Sequence, residues 1–159
     1  FTPPSPEQQR ALDELAAHGV QTTHVTETVS MMSSPAAQHP LLVSVKAVDP
    51  ARYPFYGRLV LDPAAALPEA LTASTIAVSD DLLLRLGAQV GQSVKLGAAE
   101  FRIAGIVRQE PDRMTGSLNV GPRVLITRDG LERTELMRLA GKPALAALSA
   151  IQHRNCWSN

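Results

Sequence analysis

The chain has 159 residues, 45% of them apolar and 19% charged, so it can bury a core of its own and is not a disordered polyelectrolyte. Its 15 basic residues balance its 15 acidic ones and are scattered along the chain, which removes the long-range attraction that binding to nucleic acid or anionic lipid requires. The single cysteine, Cys156, excludes an intrachain disulfide and any thiolate-rich metal centre.

Ser5-Pro6-Glu7-Gln8 opens the first helix: Ser is a good N-cap, Pro fits the first turn, and Gln stands where a capping box needs it. The helix is predicted to run to about His18, with Ala11, Leu12, Leu15 and Ala16 as its apolar stripe and Gly19 behind it. Val20 to Met31 is rich in Thr and Val and reads as a strand, broken by Ser33 to Pro40. Leu41 to Val48 carries Leu41, Leu42, Val43, Val45 and Val48, as a strand covered on both faces would. Burial, not chemistry at Lys46 or Asp49, is therefore the expected reason for this run, and Lys46→Ala is expected to cost under about 1 kcal/mol.

Tyr53-Pro54-Phe55-Tyr56-Gly57 forms an aromatic turn, followed by a short strand Arg58 to Leu61 and a connector rich in Pro and Ala, Asp62 to Ala73. A β-α-β-β module comes next. Its strand is Thr75 to Val78. Ser79-Asp80-Asp81 caps a short helix through Leu86 that turns Leu82, Leu83 and Leu86 inward, and Gly87 stops it. Strands Ser93 to Leu96 and Glu100 to Val107 follow, joined by a turn at Gly97-Ala98. After the polar stretch Gln109 to Ser117, Val120 to Ile126 resumes a strand, and Thr127 caps a helix from Arg128 to about Met137. The Ala- and Leu-rich stretch to Ile151 reads as helical, and the last eight residues as a frayed end.

The longest run resembling a membrane segment, Ala144 to Ile151, falls far short of the roughly 20 apolar residues that a spanning helix needs. The chain begins at Phe1 without an initiator Met and without a signal-peptide pattern, so it is expected to be a piece of a larger protein.

Catalytic motifs are missing where they would be looked for. Gly141-Lys142 is followed by Pro143 and makes no phosphate loop, and no G-x-S-x-G surrounds Ser30, Ser33 or Ser34. His18, His24, His39 and His153 are dispersed, and His153 with Cys156 supplies too few ligands for a metal. Asp80 and Asp81 are accounted for by the dipole of the helix they open. The chain is therefore not expected to be an enzyme or to hold a cofactor. Candidate partner or substrate contacts are the adaptable thioethers Met31 and Met32, the aromatics Tyr53, Phe55 and Tyr56, and the pair Asp112 and Arg113. Each also has a plain structural reading: core packing for the methionines, a pinned crossover for the aromatics, a loop-fixing ion pair for Asp112 and Arg113.

Three stretches carry a family resemblance. The first joins Thr28-Val29-Ser30-Met31-Met32 with Leu42-Val43-Ser44-Val45-Lys46-Ala47-Val48-Asp49 and the aromatic turn at Tyr53 to Gly57. The second runs from Val78-Ser79 through Leu86-Gly87, Val90-Gly91-Gln92-Ser93-Val94-Lys95-Leu96-Gly97 and Phe101 to Val107. Glu110-Pro111-Asp112-Arg113 with Pro122-Arg123-Val124-Leu125-Ile126 is the third. Together they resemble the extracytoplasmic domain of FtsX-like permeases, the group that includes the MacB-type ABC exporters and the lipoprotein-releasing permeases. Within it, the subgroup that works with a lysophospholipase-like partner is the most similar.

The resemblance implies an α+β fold of the MacB-like periplasmic core type. It has a porter-like mixed α/β lobe, residues 1–72 and 108–137, an inserted small β-rich lobe, 73–107, and an extension of uncertain structure, 138–159. It further implies a domain on the outer side of the cell membrane, in the periplasm or outside the cell. Such a domain transmits ATP-driven motion to the export or extraction of a hydrophobic or lipid-like substrate. The partners implied are a cytoplasmic ATPase subunit, a periplasmic protein and a second copy of the permease, with no nucleic acid. Two departures stand out: Phe1-Thr2-Pro3-Pro4 begins after the point where the family has a strand and a membrane helix, and Thr134-Glu135-Leu136 with Ala144 to Asn159 does not match the family's approach to the next one. A free-standing extracytoplasmic binding module and a small hydrolase remain open as alternatives.

Overall fold

The computed structural model describes residues 5–18, 25–54, 57–111 and 121–136. Predicted elements at 19–24, at the end of the last amphipathic helix beyond Leu136, and throughout 138–159 lie outside the described residues.

The strand predicted to be covered on both faces is Leu41–Val48, here β2, and every residue from Val43 to Val48 is buried. On one side it pairs antiparallel with β1, Thr26–Ser33, and on the other it runs parallel to β7, Arg123–Thr127. Between them in the chain come β3 (Val60–Asp62), β4 (Thr75–Val78), β5 (Ser93–Leu96) and β6 (Ala99–Gln109). β4 pairs with β7 and with β6, β6 turns back on β5, and β5 pairs with β1 at Met32↔Leu96 and Ser33↔Lys95. The pairings therefore run β1-β2-β7-β4-β6-β5 and back to β1. Among the described strands only β3, hydrogen-bonded to the far end of β6, stands outside this ring.

Closure explains the pattern of burial. Alternation along β5 and β6 sends Val94, Leu96, Phe101 and Ile103 inward, where they meet Met32, Val43 and Val45 from β1 and β2 in one apolar cluster. Helix α3, Asp80–Leu86, adds Leu82, Leu83 and Leu86 to the same cluster and ends at Gly87, whose φ of 60° is the left-handed conformation that glycine adopts without a Cβ clash. A second cluster covers the outer face of β2 and β7. There Val48 and Leu125 meet Tyr53, Leu61, and Leu67 and Leu71 from and just beyond the one-turn helix α2, Leu67–Ala70. The stretch predicted as a bare connector thus contributes to the core.

The segment expected to form an inserted lobe, 73–107, supplies β4, α3, β5 and most of β6. These strands hydrogen-bond to β7 and β1 and share the inner cluster with β2, so both parts of the chain build one sheet and one interior.

Some expectations need correction. β1 continues through Ser33 and does not stop at Met31. The hydroxyl of Ser79 makes no cap bond to α3; it accepts the backbone N–H of Arg123 at 3.2 Å. The first helix, α1 (Pro6–Ala17), does have its capping box between Ser5 and Gln8, but none of its residues is buried and Leu15 is 36% exposed. Among the described residues its apolar stripe is not part of either core cluster. The last helix, α4 (Arg128–Arg133), ends earlier than predicted; Thr127 both closes β7 and accepts the N–H of Gly130 at 3.0 Å as the N-cap.

Candidate functional site

The register of the sheet collects charge on the covered outer face. Glu27 of β1 stands opposite Lys46 of β2, and Arg123 of β7 lies beside Ser44, two residues along the same face. Side chains alternate along each strand, so the inward placement of Val43 and Val45 forces Lys46 outward, under the turn that brings in Tyr53. Glu110, just past the end of β6, completes the group.

One carboxylate joins the cations. Lys46 Nζ lies 2.8 Å from Glu110 Oε1 and donates to Tyr53 Oη at 3.0 Å, while Tyr53 Oη donates to the same Glu110 oxygen at 3.1 Å. Arg123 reaches the other Glu110 oxygen at 3.5 Å and Glu27 Oε1 at 3.1 Å. Lys46 is 2% exposed and Arg123 7%. Two cations and two carboxylates so placed compensate one another, and a buried charge is tolerable only on those terms. Every buried side-chain nitrogen and oxygen among the described residues has a hydrogen-bond partner. The arrangement is a strut that ties three strands to two loops, and it presents no activated nucleophile.

The strut also brings together two of the stretches that carried the family resemblance. Gly57, at φ 70°, closes the aromatic turn so tightly against the other loop that a Cβ there would lie 2.5 Å from the Cβ of Pro111. The sequence reading missed Lys46, Glu110, Arg123 and Glu27 as a group. One signal was available: a lysine inside a strand predicted to be covered on both faces has to find an anion.

The candidate contact residues divide. Met32 is fully buried in the inner cluster and is a core residue, not a surface contact. Met31, on the opposite face, is 49% exposed and pairs across the strands with Leu42, 42% exposed, to make a small apolar patch. Tyr53 is buried in the strut. Phe55, Tyr56, Asp112 and Arg113 lie outside the described residues.

Elsewhere, a cleft of about 480 Å³ opens where β2 ends, between Asp49, Arg52, Thr72, Arg128 and Asp129. Exposed Arg108 bridges Asp62 at 2.8 Å and Asp80 at 3.1 Å; the hydrogen bond to Asp62 and the charge of Asp80 raise its pKa above the usual arginine value, so it stays charged. Among the described residues no cluster of three or more His, Cys, Asp or Glu could hold a metal, and no helix is long and apolar enough to cross a membrane.

No protein-family model matches the sequence. Over 116 residues, 73% of this chain, it is 33% identical to the uncharacterized ABC transporter permease YbbP of Escherichia coli (strain K12), and the matched part is 13% of that protein. The periplasmic region of MacB from Actinobacillus actinomycetemcomitans has a similar fold, with a TM-score of 0.54 over 97% of this chain and 72% of that one at 11% identity. So does a permease domain from Porphyromonas gingivalis, with a TM-score of 0.50, 67% of this chain, 45% of that one and 18% identity. The chain is thus homologous to a segment of an ABC transporter permease and has the mixed α/β fold of the MacB periplasmic region. These relatives are an ABC transporter permease, a permease domain and a periplasmic region; neither the homology nor the fold reaches the subgroup with a lysophospholipase-like partner.

Proposed function

We propose that this chain is the extracytoplasmic domain of an ABC transporter permease and that its work is mechanical: it is moved by a cytoplasmic ATPase subunit through membrane helices of the whole protein. The observation that carries the reading is the 33% identity to a permease over 116 residues, supported by the fold shared with a periplasmic region. A closed barrel braced on its outside by compensated charges suits a part that must move without deforming. The cargo in this reading is hydrophobic or lipid-like, and the exposed pair Met31 and Leu42 is the patch that favours it. A second copy of the permease and a periplasmic protein complete the proposed assembly. The division into a porter-like part, 1–72 and 108–137, and an inserted part, 73–107, enters as two regions of one barrel.

Placement can be tested in the full-length permease carrying Cys156→Ala and Leu84→Cys, since Leu84 on α3 is 81% exposed. A membrane-impermeant maleimide should label position 84 in cells whose outer envelope alone is permeabilised. Labelling that appears only after the cytoplasmic membrane is broken would overturn the reading.

A further inference from the structure

Helix α4 is tied to the start of the 73–107 segment and to its β5–β6 hairpin. At its start, the Thr127 hydroxyl that caps the helix also reaches Thr72 O at 3.3 Å. One face is fixed by Leu131, buried in the inner cluster, and by Gly130, where a Cβ would come within 2.7 Å of Ile126. At the far end, Arg133 Nη1 donates to Ala73 O at 2.6 Å and to Ser74 Oγ at 2.9 Å, and its guanidinium lies 5.5 Å from the centre of the Phe101 ring. Thr134, fully buried, accepts the N–H of Ala98 at 3.0 Å. This approach is so close that Gly97, at φ 59°, could not carry a Cβ, which would lie 2.5 Å from Thr134 O.

We propose that the end of α4 is the fixed mount of this domain, so that a displacement of the chain beyond Leu136 is delivered to the β5–β6 hairpin and helix and hairpin move as one body. The proposal rests on the permease reading, and it sets α4 apart from α1, none of whose residues is buried. The backbone hydrogen bond between Ala98 and Thr134, the cation over the Phe101 ring and the Leu131 side chain in the core all have to give way together before hairpin and helix can part. That shared dependence predicts joint loosening.

The test is hydrogen exchange in the 159-residue chain with Gly97→Val and, separately, Arg133→Met. Gly97→Val strains the left-handed turn and drives a branched side chain into Thr134. Amides of 94–100 and 128–136 should then exchange at least about tenfold faster, while those of 43–48 keep their rates, as a local opening requires. Arg133→Met removes the bonds to Ala73 and Ser74 together with the cation over the Phe101 ring and leaves Leu131 and Thr134 in place, so the chain stays folded, and both segments should loosen together by about threefold. Loosening of one segment without the other in Arg133→Met, or of neither, would overturn the mount. If both variants behave as expected and position 84 of the full-length protein is labelled only from the cytoplasm, the mount stands and the permease reading fails.

Discussion

Val45→Asp leaves the chain unfolded at room temperature. Val45 is fully buried in the inner cluster, between Val43 and Ala47 on β2. The cations nearest in sequence and register, Lys46 and Arg123, point to the opposite face and are already held by Glu110 and Glu27. An aspartate there must either stay charged without a partner or bind a proton and still lack hydrogen bonds. Either way the cost is several kcal/mol, a large part of the ~5–15 kcal/mol that holds a domain of this size together. Far-UV circular dichroism and a thermal melt decide it. A cooperative melt within a few degrees of the parent would show that β2 does not run through the interior.

Lys46→Ala costs about 3 kcal/mol, not the less than about 1 kcal/mol that the sequence led one to expect, because breaking a buried pair strands the partner charge. Arg123 keeps a contact with Glu110 at 3.5 Å, which puts the loss at the lower end of the range for such pairs. The double variant Lys46→Met with Glu110→Gln removes both charges, retains similar volume and leaves Arg123 with Glu27. It should therefore be more stable than the sum of the two single losses by about 1–3 kcal/mol. Urea unfolding of the four proteins measures this coupling. Additive losses would mean that Lys46 and Glu110 do not depend on each other, and the strut would lose its central link.

What the sequence made legible was local. Ser5 with Gln8, Thr127 before α4 and Gly87 behind α3 each act through neighbours within a few residues, and each was readable. The apolar run of β2 announced coverage on both faces, because no other environment tolerates it. Closure was not readable: periodicity tells which face of β5 is apolar but not that β1 will pair with it, some 60 residues earlier in the chain. The α1 stripe has the same limit, since a pattern reports a face and not its partner. Met31 and Met32 were separable in principle, because adjacent residues of a strand point to opposite sides and only one of them could be exposed. Glu110 sits in a turn without periodicity, and only the demand of Lys46 for an anion pointed towards such a residue. The link to permeases came from composite stretches of sequence, independent of any single site residue.

The most direct test of the central claim is hydrogen exchange on the full-length permease together with its ATPase subunit in lipid nanodiscs, with and without ATP and vanadate. If the domain is carried as a rigid barrel by motion from the cytoplasmic side, α1 (Pro6–Ala17) should change its exchange between the two states. Residues 43–48 and 123–127 should not, since they form the interior of the sheet. Exchange at 43–48 or 123–127 that differs between the two states would contradict the account, because the barrel would then deform and not be carried.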